Sequence, residues 1–214
     1  MSRLPDAYFE AMYAESADPW QLDSRWYEQR KHAITVSVLP RRRYRHAFEP
    51  GCSIGRLTEL LLERCDLVTS TDVATGALQQ ADRRLRSTGL RGRVDLQRHP
   101  LEQPWPTGDF DLIVLSEVGY YLETNTLRAV LHRERGRLTA AETVIAAHWR
   151  HAVDDYPMSG DQANEIIADT PGLHCIGGYR DPDVVIDVFA TGAAISVAAR
   201  EGVPGATWTR YLSS

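Results

Sequence analysis

Between Arg45 and Ala147 the chain alternates short apolar runs with longer amphipathic segments, and this alternation admits very few architectures. Runs that read as strands fall at Arg45–Phe48, Leu67–Thr71, Arg93–Gln97, Phe110–Leu115 and Val144–Ala147. Helical spacing separates them at Leu57–Leu62, Gly76–Arg86 and Thr124–Arg135. Short strands joined by helices pair in parallel through right-handed crossovers, which predicts an α/β fold. Phe110-Asp111-Leu112-Ile113-Val114-Leu115 is apolar along most of its length, the pattern of a strand buried on both faces. After His148 the alternation stops. A polar loop leads to a helix over Gln162–Ala168, then to two strands, His174–Tyr179 and Val184–Phe189, close enough to pair as a hairpin.

Ahead of the sheet, residues 1–20 read as an acidic amphipathic arm ending at Asp18-Pro19-Trp20. Leu22, Trp26, Ala33, Ile34 and Val38 recur at roughly helical spacing until Pro40 stops them. The 214 residues suffice for one substantial core, so the expected organisation is one domain. It comprises a helical arm over 1–40, a core over 41–190 and a tail over 191–214.

The composition excludes several kinds of chemistry. Lys31 is the only lysine, which removes most candidates for a Schiff base. The three cysteines form no C-x-x-C pair, so neither a disulfide framework nor a thiolate zinc site is indicated. A net charge of −5 repels nucleic acid overall. The basic run Arg41-Arg42-Arg43-Tyr44-Arg45-His46 has the residue types to follow a phosphate backbone, but its place before the first strand reads as a solvated connector. No nucleic-acid partner is therefore expected. The start of the chain lacks an apolar signal region and no stretch is long enough to span a bilayer, so a cytoplasmic protein without a membrane partner is expected. No oligomeric state follows from the sequence.

Glu49-Pro50-Gly51-Cys52-Ser53-Ile54-Gly55 sits between a strand and a helix. Glycines there allow a tight turn and close approach to a ligand, and the following helix presents free N–H groups. The spacing is neither the G-x-G-x-x-G of dinucleotide enzymes nor a phosphate loop ending in Gly-Lys-Ser/Thr. Asp72 closes the next strand, where an open α/β sheet faces its ligand crevice and a carboxylate can take both ribose hydroxyls. Capping of the helix that begins near Ala74 is the competing role. Further on, His148-Trp149-Arg150-His151 follows the strand that ends at Ala147. Alternate residues of a strand face opposite sides, which disfavours a metal shared by the two histidines, and no metal site is expected. A general base or substrate contact suits the histidine pKa of about 6.5, while loop histidines without chemistry are the alternative.

The arrangement of Glu49, Gly51, Gly55, Asp72 and Phe110–Leu115 resembles class I S-adenosylmethionine (SAM)-dependent methyltransferases. It is closer still to the NodS-like, nodulation-type N-methyltransferase group. That likeness rests on Asp18-Pro19-Trp20, on Ser24-Arg25-Trp26-Tyr27-Glu28-Gln29-Arg30-Lys31, on Phe48 through Gly55, and on Leu115-Ser116-Glu117-Val118-Gly119-Tyr120-Tyr121. It spans residues 17–190.

The resemblance implies a Rossmann-like, seven-stranded, mostly parallel sheet with an antiparallel C-terminal hairpin. SAM would lie across the carboxyl ends of the first strands and leave as S-adenosylhomocysteine. Glu49 and the backbone from Gly51 through Cys52 to Gly55 would hold the methionine part, and Asp72 the ribose. Trp20, Tyr27 and Arg30 would close over the cofactor, with Arg30 pairing the methionine carboxylate. Ser116 and Glu117 would border the methyl group. Many family members bind adenine through an acidic residue after the third strand, where this chain has Arg98-His99-Pro100-Leu101. The Leu101 N–H is the candidate replacement, with Leu101 and Trp105 as apolar contacts.

The implied reaction is methyl transfer to a small-molecule acceptor, foremost the amino group of an amino sugar or related amine. Glu117, His148 or His151 would accept or orient the amine proton. The alternatives are O-methylation of a hydroxyl or carboxylate, and a SAM-binding module without turnover.

Overall fold

The structure is a computed structural model that describes residues 3–191 and 195–206, so residues 192–194 and 207–214 of the tail lie outside it. The arm contributes α1 (Asp6–Glu15) and α2 (Trp26–Ser37). The core follows as β1 (Tyr44–Pro50), α3 (Arg56–Leu61), β2 (Cys65–Asp72), α4 (Thr75–Ser87), β3 (Val94–Arg98) and β4 (Leu112–Ser116). Then come α5 (Thr124–Arg133), α6 (Arg135–Ala140), β5 (Thr143–Trp149), α7 (Gly160–Ala168), β6 (Leu173–Arg180), β7 (Val184–Thr191) and α8 (Val197–Arg200).

The described strands form one seven-stranded sheet in the order β3-β2-β1-β4-β5-β7-β6. The first five pair in parallel. β7 runs antiparallel to both β5 and β6, which is the predicted C-terminal hairpin. The period-2 alternation of β4 and β5 divides the core. Ile113, Leu115, Val144 and Ala146 pack in the cluster that includes Leu127, Leu138 and Ile167. Leu112, Val114, Ile145 and Ala147 pack in the cluster that includes Leu57, Leu61 and Leu85. Both faces of these strands are therefore buried, as their unbroken apolar runs require.

Three local features depart from the sequence expectation. The helix expected over Thr124–Arg135 is two, because the chain breaks at Glu134, whose buried carboxylate accepts the Trp105 N–H at 3.2 Å. The helix expected from Leu22 starts at Trp26, because the Asp18 carboxylate takes the N–H groups of Leu22 at 2.9 Å and Asp23 at 3.2 Å and holds a turn there. The face that α2 buries is also not its apolar one. Glu28, Lys31, His32 and Thr35 are buried, whereas Trp26 is 72% exposed. Within the basic run, Arg41, Arg43 and Arg45 pair with Glu142, Asp66 and Asp111. No helix among the described residues is long and apolar enough to cross a membrane.

Candidate functional site

The strand order reverses between β1 and β4, and the loops leaving the carboxyl ends of β2, β1 and β4 enclose a cavity of about 370 Å³. A crevice at such a switch point is where open α/β sheets take their ligands. Of the residues singled out in the sequence, Trp20, Tyr27, Glu49, Gly51, Cys52, Asp72, Leu101, Ser116 and Glu117 line this cavity.

Asp72 organises the β1–β2 side. One of its oxygens accepts the Ser53 N–H and the other the Ala74 N–H, both at 2.9 Å, so the carboxylate latches the turn after β1 to the end of β2. Burial raises its pKa to about 6, against the opposing pull of those backbone N–H groups. Glu49 accepts the hydroxyls of Thr58 at 2.6 Å and Ser70 at 2.8 Å, and burial raises its pKa to about 7. The turn needs left-handed backbone at Gly51 and Ser53, and a β-carbon at Gly51 would overlap the Val118 side chain.

The β4 side carries Glu117, also left-handed at φ 58°. Its Oε1 accepts the Trp149 N–H at 2.8 Å, and its Oε2 accepts the Tyr120 hydroxyl at 2.6 Å and faces the Lys31 ammonium at 3.4 Å. Lys31 also pairs with Glu28 at 2.8 Å. The stacked rings of Tyr120 and Tyr156, with Tyr121 edge-on to both, extend this wall.

The arm forms the remaining cover. The Tyr13 hydroxyl meets Ser53 Oγ at 2.5 Å, Trp20 packs edge-on against Tyr13, and Phe9 packs against Tyr121. Tyr27 packs against Trp149. The Tyr27 hydroxyl and His32 Nδ1 are buried atoms of the cavity wall without a hydrogen-bond partner. Burial lowers the His32 pKa to about 3, so its ring is neutral.

Five expectations are corrected by this geometry. Arg30 does not face the cavity. It pairs with Asp181 at 2.7 Å and with the Tyr179 hydroxyl, because one helical step turns it from the Lys31 side toward the β6–β7 hairpin. Gly55 caps α3 in a left-handed conformation, and a β-carbon there would press on the Ala81 backbone. Its role is close packing of α4, outside the cavity wall. His148 is fully buried: Nε2 accepts the Gly119 N–H at 3.0 Å, which assigns the proton to Nδ1, donated to Asn164 Oδ1 at 2.6 Å. Burial lowers its pKa, and neither nitrogen is free to take a substrate proton. His151 is exposed, bonds Asp183 at 2.8 Å and is not part of the wall. Trp105 is likewise a core residue. It packs on Phe48, and its indole N–H donates to the Leu101 carbonyl at 3.3 Å, bracing Leu101 from behind.

The sequence reading missed Glu28, Lys31, His32, Tyr13, Tyr120, Tyr121 and Tyr156 as wall residues. One available signal was the spacing of Glu28, Lys31, His32 and Thr35, a polar stripe of helical period.

A family model described as Nodulation protein S (NodS) matches residues 11–192. Nodulation protein S of Bradyrhizobium diazoefficiens is 29% identical over 195 residues, covering 86% of this chain and 91% of that protein. Nodulation protein S of Rhizobium tropici is 31% identical over 69% of this chain and 72% of that protein. Among solved structures, a Pseudomonas syringae protein described as a candidate methyltransferase is 35% identical with a TM-score of 0.61, covering 78% of this chain and 99% of that one. The N-methyltransferase NodS of Bradyrhizobium japonicum WM9, in complex with S-adenosyl-L-homocysteine, matches at a TM-score of 0.71 and 21% identity. That match covers 87% of this chain and 97% of the other, and is a likeness of fold.

Proposed function

The chain belongs to the nodulation protein S family, and from that premise we propose that it transfers the methyl group of SAM to the amino nitrogen of a small polar acceptor, an amino sugar or related amine. One observation carries this reading. A continuous cavity has buried carboxylates at the β1 and β2 ends and, at the β4 end, a carboxylate fixed by three donors beside a tyrosine wall.

The wall fits the cofactor chemically. Asp72 offers a carboxylate to a ribose diol, and the apolar side chains of Val73 and Leu101 suit a base. The unpartnered atoms of Tyr27 and His32 supply the donor and acceptor that an amino-acid group requires. The bound S-adenosyl-L-homocysteine of the Bradyrhizobium japonicum relative supports the same assignment. When bound, SAM supplies a methyl group already activated on a sulfonium sulfur.

The remaining work falls to the chain: alignment of the acceptor and exclusion of water. Tyr13, Trp20 and Tyr27 of the arm cover the cavity. Glu117 already accepts from Trp149, Tyr120 and Lys31, so it serves to orient an acceptor N–H rather than to remove a proton strongly. The acceptor then reacts through its neutral amine fraction, and turnover should rise with pH through the amine's own pKa. A carboxylate acceptor would set its charge against Glu117, which argues against acid substrates.

Calorimetric titration with S-adenosylhomocysteine tests the cofactor. Saturable binding is expected, weakened about tenfold or more by Asp72→Ala. Absence of binding to folded wild-type protein overturns the reading. Release of S-adenosylhomocysteine is then followed with glucosamine, a matched alcohol and a matched acid. Turnover of only the alcohol or the acid selects O-methylation, and cofactor binding without turnover of any acceptor selects a SAM-binding module.

A further inference from the structure

Lys31 is the only lysine in the sequence and is 1% exposed, in the wall of the cavity. Its ammonium lies 2.8 Å from Glu28, 3.4 Å from Glu117 and 5.1 Å from the centre of the Tyr27 ring. Burial alone would push its pKa down, but the two carboxylates outweigh that effect and leave it raised, so the charge is kept. Keeping a buried ammonium is costly, and a methionine of similar length would fill the space without that cost. The charge is therefore informative about what it touches. Glu28 lies on the same helix as Lys31, whereas Glu117 belongs to the turn after β4, so the lysine joins arm to core.

We propose that Lys31 is a positioning residue for the acceptor: its ammonium, steadied by Glu28, docks α2 onto Glu117 and holds that carboxylate aimed into the cavity. The proposal rests on the methyltransferase reading. Three contacts over-determine the Glu117 side chain. Trp149 fixes one oxygen, while Tyr120 and Lys31 converge on the other. The left-handed backbone of Glu117, unfavourable for a non-glycine residue, is the kind of local cost retained where a side chain must point one way.

The charges around the ammonium also separate this role from that of a cofactor ligand. Two carboxylates, Glu28 and Glu117, face the one Lys31 ammonium. Arg25, just ahead of α2, is a further cation facing Glu28. His32 and Tyr27 on α2, Tyr120 and Tyr121 after β4, His148 on β5 and Tyr156 beyond it also face these groups, and all are neutral, the tyrosines raised and the histidines lowered by burial. A carboxylate from the cofactor would meet two carboxylates at Lys31. An acceptor N–H or ammonium meets a complementary wall.

A single lysine permits a direct test, because selective ¹⁵N-lysine labelling gives one Nζ resonance. Glu117→Gln should shift that resonance, while saturating S-adenosylhomocysteine should leave it in place. An unmoved resonance in Glu117→Gln, or one moved strongly by the cofactor product, overturns the proposal. With glucosamine as the acceptor probe, Lys31→Met should lower kcat about tenfold or more while S-adenosylhomocysteine affinity changes less than about threefold. Lys31→Arg should restore part of the rate. In a Glu117→Gln background, Lys31→Met should add little. A tenfold loss of S-adenosylhomocysteine affinity makes Lys31 a cofactor ligand, and a rate loss that tracks a lowered Tm without rescue by arginine makes it structural. Either result overturns the proposal. Failure of wild-type protein to bind S-adenosylhomocysteine instead sinks the methyltransferase reading, and inert glucosamine sinks the amino-sugar reading. The resonance of Lys31 in Glu117→Gln decides the pairing in both cases.

Discussion

Asp72 illustrates how one side chain serves both fold and site, since each of its oxygens accepts a backbone N–H and the same carboxylate faces the cavity. Its pKa of about 6 and that of Glu49, about 7, lie above ordinary carboxylate values because both are buried. The folded chain therefore binds more protons at these two sites than the unfolded chain from about pH 4 to 7. Their contribution favours the fold at low pH and is lost as pH rises through about 6 and 7. Ribose hydroxyls need the ionised acceptor, so cofactor affinity should move the other way. Calorimetry should find S-adenosylhomocysteine binding about fourfold weaker at pH 5.5 than at pH 7.5 from Asp72 alone. The two histidines contrast a buried structural link with an exposed surface contact. His148→Ala would leave Gly119 and Asn164 without partners and open a cavity, for a loss of about 3 kcal/mol in denaturant unfolding. His151→Ala, at an exposed position, should leave turnover within about twofold.

At the scale of elements, α2 shows that burial and apolarity are separate properties. A helix against a solid core buries its apolar stripe, but α2 walls a ligand cavity and buries Glu28, Lys31, His32 and Thr35. Its register assigns neighbouring cations to different tasks. Arg30 ties the helix to Tyr179 and Asp181 near the β6–β7 turn, and Lys31 faces the cavity. Arg30→Ala should consequently leave S-adenosylhomocysteine affinity within about twofold, with the same calorimetric titration as the check. The turn after β1 is constrained in the opposite way, through its backbone. Gly51→Ala would place a β-carbon into Val118 at a positive φ and should destabilise by about 1–3 kcal/mol, measured by thermal unfolding.

For the whole molecule, the cavity is assembled from segments distant in sequence: the arm, the ends of β1 and β2, and the turn after β4. A ligand that fills it binds the folded chain and not the unfolded one. S-adenosylhomocysteine at about one hundred times its Kd should add about 2.7 kcal/mol of stability. For a chain of 214 residues this is about 5–10 °C in Tm, and the shift should shrink in Asp72→Ala.

The architecture was legible in the sequence because it rests on local pattern. The apolar runs at Leu112–Leu115 and Val144–Ala147, the glycine turn at Gly51–Gly55 and the position of Asp72 each follow from spacing along the chain. The direction of individual side chains did not. Whether Arg30 or Lys31 enters the cavity depends on a rotation of about 100° about the axis of α2, set by how that helix docks on the sheet. Whether His148 is a base or a structural link depends on Asn164 and Gly119, which only the packed fold brings within hydrogen-bond distance. Periodicity determined which residues form the sheet. The packing of the arm against the ends of β1, β2 and β4 decided which of them meet.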